Sequence, residues 1–89
     1  MFVVHFKATF VRQFNKLEPL LQEEVLVRIE QFKGLENHKR LKVHKLHGLL
    51  KDCWSFSVNY RYRIVFTYVS RAKKEVALLA IGDHSVYDF

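Results

Sequence analysis

The chain is poor in the residues that mark stapled, extended or membrane-spanning proteins. Its 89 residues include one cysteine, one proline, three glycines, one tryptophan and one methionine. A single thiol, Cys53, excludes an internal disulfide framework and any metal cluster built on cysteine thiolates. So little glycine and proline, with 49% of residues hydrophobic, argues against a disordered chain. No run approaches the roughly 20 apolar residues of a membrane span. The start "MFVVHFKATF" has neither the charged opening nor the long apolar centre of a secretory signal, so a cytoplasmic location is expected. Negative charge is also scarce: 9 Asp+Glu stand against 15 Lys+Arg, a formal net charge of +6. A chain this short makes one domain, residues 1–89, with a single core.

The positive surplus is concentrated. Between Lys33 and Lys51 lie Lys33, Lys39, Arg40, Lys42, Lys45 and Lys51, with His38, His44 and His47, opposed by Glu36 alone. Charge runs are commonly just solvated loops. Here aromatic, arginine-bearing strands follow at once, and a field of this sign suits nucleic acid or another anionic partner.

Periodicity divides the chain. "FVVHF" at Phe2–Phe6 is β-branched and aromatic, a strand signal. Thr9 can cap a helix in which Phe10, Phe14 and Leu17 recur at helical spacing. Pro19 suits the first turn of a second helix, along which Leu21, Val25, Ile29 and Phe32 form an apolar stripe that Gly34 ends. Residues 35–50 read as a long basic loop in which His38 faces solvent. Three strands follow, near Cys53–Val58, Tyr62–Tyr68 and Glu75–Ile81. Their turns are too short for crossovers, so they are antiparallel neighbours. The expected fold is α+β, a β-α-α-β-β-β two-layer domain with a helical hairpin on one face of an antiparallel sheet.

In "WSFSVNYRYRIVF", Trp54, Phe56, Val58, Tyr62, Ile64 and Phe66 should point at the helices. Alternation then turns Ser55, Ser57, Arg61 and Arg63 to an uncovered face. Arginines there can serve merely as edge charges against aggregation, but two of them beside small hydroxyl side chains favour a phosphate site. A guanidinium matches phosphate as a planar fork and never loses its charge. Histidine suits general acid and base roles. His44 and His47 close the basic loop, and His84 stands three residues before Tyr87; His5 reads as structural. His44, His47 and His84 lack a metal-site spacing, and a dense cationic field opposes a divalent ion, so neither metal nor cofactor is expected. Ser55 and Ser57 lie in no strained elbow, which disfavours acyl transfer. RNA carries its own nucleophile, the 2'-hydroxyl, so a base, an acid and a cation are sufficient to cut it. Tyr87 and Phe89 offer rings for stacking on bases.

The stretches "KLHGLLKDCWSFSVNYRYRIVF" and "LLAIGDHSVYDF", in this order and at this length, resemble the RelE/ParE superfamily of bacterial toxin–antitoxin toxins. The resemblance implies a RelE-like fold and, in the RelE, YoeB and YafQ branch, a ribosome-dependent, metal-independent endoribonuclease that cuts mRNA and inhibits translation. It implies Arg63 as the catalytic arginine of "Y-R-I-V-F", His84 as a proton-transfer group, Tyr87 as the tail tyrosine, and His44 at the place of the YoeB glutamate or YafQ histidine. RelE has two lysines where this chain has Ser55 and Ser57, so the histidine-using relatives are the better guide. On this reading Arg63 stabilises the phosphorane, helped by Arg61 or Lys51, and Lys42, Lys45, His47, Lys51 and Arg61 hold the mRNA and ribosomal RNA backbone. The implied partner is an acidic antitoxin, through which alone operator DNA would be bound. A ParE-like gyrase inhibitor that binds without catalysis is the alternative, and a plain RNA-binding module a third reading.

Overall fold

The computed structural model describes residues 1–83 and Val86; His84, Ser85 and residues 87–89 lie outside the described residues. The chain runs β1 (Val3–Phe6), α1 (Ala8–Asn15), α2 (Pro19–Phe32), β2 (His44–Lys45), β3 (Trp54–Ser57), β4 (Arg63–Ser70) and β5 (Glu75–Gly82). Short 3-10 turns occupy Leu35–Asn37 and Gly48–Leu50. The sheet order is β1-β5-β4-β3-β2.

The α+β, two-layer architecture is as expected, with two differences. The sheet is mixed, because β1 pairs parallel with β5 while β3, β4 and β5 are antiparallel neighbours. The intervening helical hairpin is long enough to carry the chain across the sheet, which a parallel pairing requires. The basic segment also contributes an edge strand, His44–Lys45, antiparallel to β3. Two residues are too few for a periodicity signal.

Local chemistry sets the helix ends. Pro19 starts α2, where its fixed φ is helical and its missing N–H costs nothing. Thr9 is not the cap of α1: the helix begins at Ala8 after Lys7, and Thr9 Oγ1 accepts a bond from Arg12 Nη2 at 3.1 Å. Gly34 lies one residue beyond Lys33, the C-cap of α2.

The main core lies between the helices and one sheet face. Val25, Ile29 and Phe32 of α2 pack there with Phe10, Phe56, Val58, Ile64, Phe66, Val76, Leu78 and Ile81. Phe32 stacks on Phe56 at a centroid distance of 4.4 Å and meets Phe66 edge-on at 4.9 Å. His38 is not in solvent. Its ring stacks on Phe32 at 4.6 Å and lies 4.9 Å from Phe2. Its Nε2 is 2.7 Å from the Phe32 carbonyl oxygen, an acceptor only, so Nε2 carries the proton and donates. One histidine thus anchors the start of the basic segment to the core.

The opposite sheet face is not bare. Leu46, Val65, Ala80 and Val86 form a second, smaller cluster joined by Leu50, Cys53 and Leu79. Ser55 points to that side, as alternation requires, but it is fully buried at 0% exposure. The segment after β2 and Val86 close over a face that alternation alone leaves open.

Phe32→Ala is expected to lower stability by about 3–5 kcal/mol, because it removes the ring on which strand, helix and loop all pack. His38→Phe keeps the stack and loses the hydrogen bond, so a smaller loss of about 1 kcal/mol is expected. Chemical denaturation midpoints at constant slope distinguish the two.

Candidate nucleic-acid interface

Strand register places the expected site residues without reference to side-chain length. His44 pairs with Ser55, Ser55 with Val65, and Ser57 with Arg63. Directly paired residues share a face, so His44, Ser55, Ser57 and Arg63 all lie on the side away from the helices. His44 and Arg63 are offset by two residues along β3 and two strands across the sheet. Their Cα atoms are therefore roughly 12 Å apart, a gap that an arginine side chain and one phosphate can bridge.

His44 is exposed, and its Nδ1 lies 2.8 Å from the Lys42 carbonyl oxygen. A carbonyl only accepts, so Nδ1 carries the proton in the neutral ring and Nε2 keeps its lone pair. The tautomer is the one a general base needs, with Nε2 as the proton acceptor.

Arg63 is half-buried and held from behind. Its Nη1 donates to the carbonyls of Asn59 at 2.8 Å and Tyr62 at 3.2 Å. Asn59 organises this turn. Its Oδ1 accepts from the backbone N–H groups of Arg61 and Tyr62 at 2.9 and 2.8 Å, and its Nδ2 donates to Glu24 Oε1 on α2 at 2.9 Å. Asparagine suits such a turn because its side chain mimics a backbone acceptor.

The same turn separates the two arginines that alternation placed together. Residues 59–62 wrap around the Asn59 side chain, and β4 begins only at Arg63. Arg61 is exposed over the Tyr62 ring, 5.7 Å from its centroid, and lines a cavity with Glu18, Leu21 and Glu24 at the start of α2. It does not stand beside Arg63, and it faces carboxylates.

Other cations take its place. Arg63 lines a cleft of about 300 Å³ with Arg28, Arg40, Lys42, Ser57 and Tyr60. Arg28 reaches in from α2, its Nε donating to the Val58 carbonyl at 3.0 Å while its Nη2 lies 3.8 Å from Glu24. Tyr60, 89% exposed, presents a ring at the rim. Four cations around one small cleft can hold an anion, and a neighbouring exposed ring can stack. Arg28, Asn59 and Tyr60 are not legible as site residues in the sequence, where Arg40 stands out only as one member of the basic run. Arg28 reads as a polar position off the helix stripe, and only the fold brings it to the end of β3.

Lys42 adopts φ 59°, a left-handed conformation uncommon for a residue with a Cβ. It is imposed by flanking bonds, from Lys42 N–H to the Lys39 carbonyl at 3.1 Å and from Val43 N–H to the His38 carbonyl at 3.0 Å. Lys45 and Lys51 lie elsewhere, around a second cleft with Trp54, Tyr68 and Arg71. Lys51 is thus at the far end of β3 from Arg63. His47 is exposed where the chain enters the turn at Gly48–Leu50. His84 and Tyr87 fall outside the described residues. His5, on β1, lies 3.3 Å from Glu75 Oε2, an ion pair when the ring is protonated. Burial, with the Asp52 carboxylate adding to it, pushes the Cys53 thiol up, which leaves little thiolate near neutrality.

No family model matches the chain, and no curated protein matches it. Solved structures do. A conserved hypothetical protein from Helicobacter pylori superimposes with a TM-score of 0.73 at 21% identity, covering 98% of this chain and 99% of that one. The toxin–antitoxin complex RelBE2 from Mycobacterium tuberculosis gives a TM-score of 0.66 at 21% identity over 93% and 98%. The archaeal RelE–RelB complex from Pyrococcus horikoshii gives 0.71 at 15% identity over 92% and 93%. The likeness spans whole chains, and the fold is RelE-like.

Lys42→Gly is expected to raise stability by about 0.5–1 kcal/mol, since relief of the left-handed strain outweighs the added chain entropy, while weakening retention on an anionic column. Cys53 is expected to react with iodoacetamide more slowly than free cysteine at neutral pH and to match it in denaturant. Because folding disfavours its thiolate, stability is full below the unfolded thiol's pKa and declines as pH rises above it.

Proposed function

We propose that this chain is the toxin of a toxin–antitoxin pair and an endoribonuclease that cuts mRNA on the ribosome without a metal ion. The observation that carries the reading is the joint placement of His44 and Arg63. They lie on one face of the sheet, with Ser55 and Ser57 between them, and Arg63 lines a cleft with three further cations. The RelE-like fold and the toxin–antitoxin complexes among its structural relatives support the same class.

In the proposed reaction, Nε2 of His44 takes the proton of an RNA 2'-hydroxyl. The freed oxygen attacks the adjacent phosphorus, and the bond from phosphorus to the 5'-oxygen breaks. His84 or Tyr87 returns a proton to that leaving oxygen, a role that rests on the resemblance of the tail. Arg63, braced by the Asn59 and Tyr62 carbonyls, neutralises charge that grows on the non-bridging oxygens. A guanidinium already oriented before the reaction costs no reorganisation at that moment. The products are a 2',3'-cyclic phosphate and a 5'-hydroxyl end.

The partner proposed for the resting state is an acidic antitoxin. A chain of net charge +6 attracts such a segment over long range, and it competes with RNA for the same field.

Arg63→Ala is expected to reduce ribosome-dependent cleavage of a defined mRNA by about 10²–10³-fold, and His44→Ala and His84→Ala to reduce it as well. Sequencing of product ends after induced expression checks target and chemistry together. Cleavage that survives all three substitutions would dismiss the site, and inhibited DNA supercoiling without cleavage would favour a gyrase poison.

A further inference from the structure

A second basic cleft lies at the other end of β3. Its cavity of about 260 Å³ is lined by Lys45, Lys51, Trp54, Tyr68 and Arg71, with Asp52 the one carboxylate among the described residues. The Arg71 guanidinium stands 4.2 Å from the Tyr68 ring centroid and 5.2 Å from that of Trp54. Those two rings meet edge-on at 5.4 Å. An arginine held against two rings has fewer conformations to lose when it binds an anion, and its in-plane N–H donors stay available at its edge. Thr67 Oγ1 donates to the Asp52 carbonyl at 3.0 Å, fixing the Lys51–Asp52 turn to β4.

The two clefts share the same margin of the sheet. Lys42 lines the first and Lys45 the second, with His44 between them in the chain. Ser57 and Trp54, at opposite ends of β3, line them in the same order. Along β4 the interval from Arg63 to Tyr68 is roughly 17 Å, and because their side chains face opposite sides of the sheet, a strand that meets both rounds the β2 edge over a few nucleotides. Two cationic clusters at such an interval, each with aromatic rings, fit a repeating phosphate backbone better than a single small anion. They fit it better than an acidic peptide too, which has no use for the rings.

We propose that the cleft at Arg71 is a second phosphodiester subsite that holds the same single strand several nucleotides from the phosphate at Arg63. It rests on the nucleic-acid reading above, and it assigns Arg71 and Lys51 to binding. The strand then passes His44 and rounds the β2 edge to the helix side, where Lys45 and Trp54 lie.

Trp54 is the chain's single tryptophan, so its emission reports this cleft. The probe is a single-stranded thymidine deoxyoligonucleotide of about ten residues, long enough for the expected contacts and lacking the 2'-hydroxyl, so it cannot be cut. A saturable change in Trp54 emission is expected with the intact protein and also with Arg63→Ala. Arg71→Ala and Lys51→Ala should each weaken binding several-fold and lower the slope of log affinity against log salt by about 1. Lys51→Ala leaves the ring stack in place, so a folding defect in the Arg71 variant does not decide the matter. An emission change absent with the oligonucleotide, or equal in wild type and both variants, overturns the proposal. So does a polyglutamate peptide that saturates the signal at lower concentration, which would make the cleft a protein-binding surface. If the emission change follows this pattern but no mRNA is cleaved, the subsite stands and the nuclease reading falls. If mRNA is cleaved with no emission change, the subsite alone falls.

Discussion

The ring of Phe32 is the constraint on which the other parts depend. It ends α2, stacks on β3 through Phe56, meets β4 through Phe66, and carries His38 on its free side. The Phe32 backbone carbonyl accepts a hydrogen bond from His38 Nε2. From His38 the chain is tied onward: the Val43 N–H bonds the His38 carbonyl, and the Ser57 N–H bonds the Leu41 carbonyl. The basic segment is thereby pinned at its start by an aromatic stack and along its length by backbone bonds. A loop of like charges would otherwise spread into solvent, since its own repulsion and entropy oppose a fixed path.

Pinning has an electrostatic consequence. It brings Lys42 and Arg40 up to Arg28 and Arg63 around one cleft, an arrangement that like charges resist and that Glu24 offsets only at Arg28. The burial of Phe32 and its neighbours supplies the opposing free energy. Asn59 belongs to the same construction from the other side. It links Glu24 on α2 to the carbonyl that holds Arg63, so the helix layer positions a side chain on the far face of the sheet. Stability in the core and geometry at the cleft are therefore coupled through few bonds.

The sheet has two unlike faces, and the second is itself divided. Its centre is dry, closed by Leu46 and Val86 over Val65 and Ala80. Cations gather at both ends of β3, around Arg63 at one end and, at the other, around Arg71 beside Trp54 and Tyr68, whose rings lie on the helix side. A dry centre holds β3 and β4 in register, so the charged ends keep a fixed spacing.

Residue pattern alone determined the layers of this protein. The stripe Val25, Ile29, Phe32, the alternation of Phe56 and Val58 and then of Ile64 and Phe66, and the break at Pro19 are local signals, because periodicity reports which side of an element is buried. They placed Arg63 on the face away from the helices. Tertiary structure decided the rest. It drew His44 into an edge strand, buried Ser55, stacked His38 on Phe32, joined β1 to β5, turned Arg61 aside around the Asn59 side chain, and brought Arg28 and Arg40 to Arg63. Each outcome depends on partners far apart in the chain or on a turn that interrupts the period. Alternation describes one strand at a time and carries no information about what packs over it.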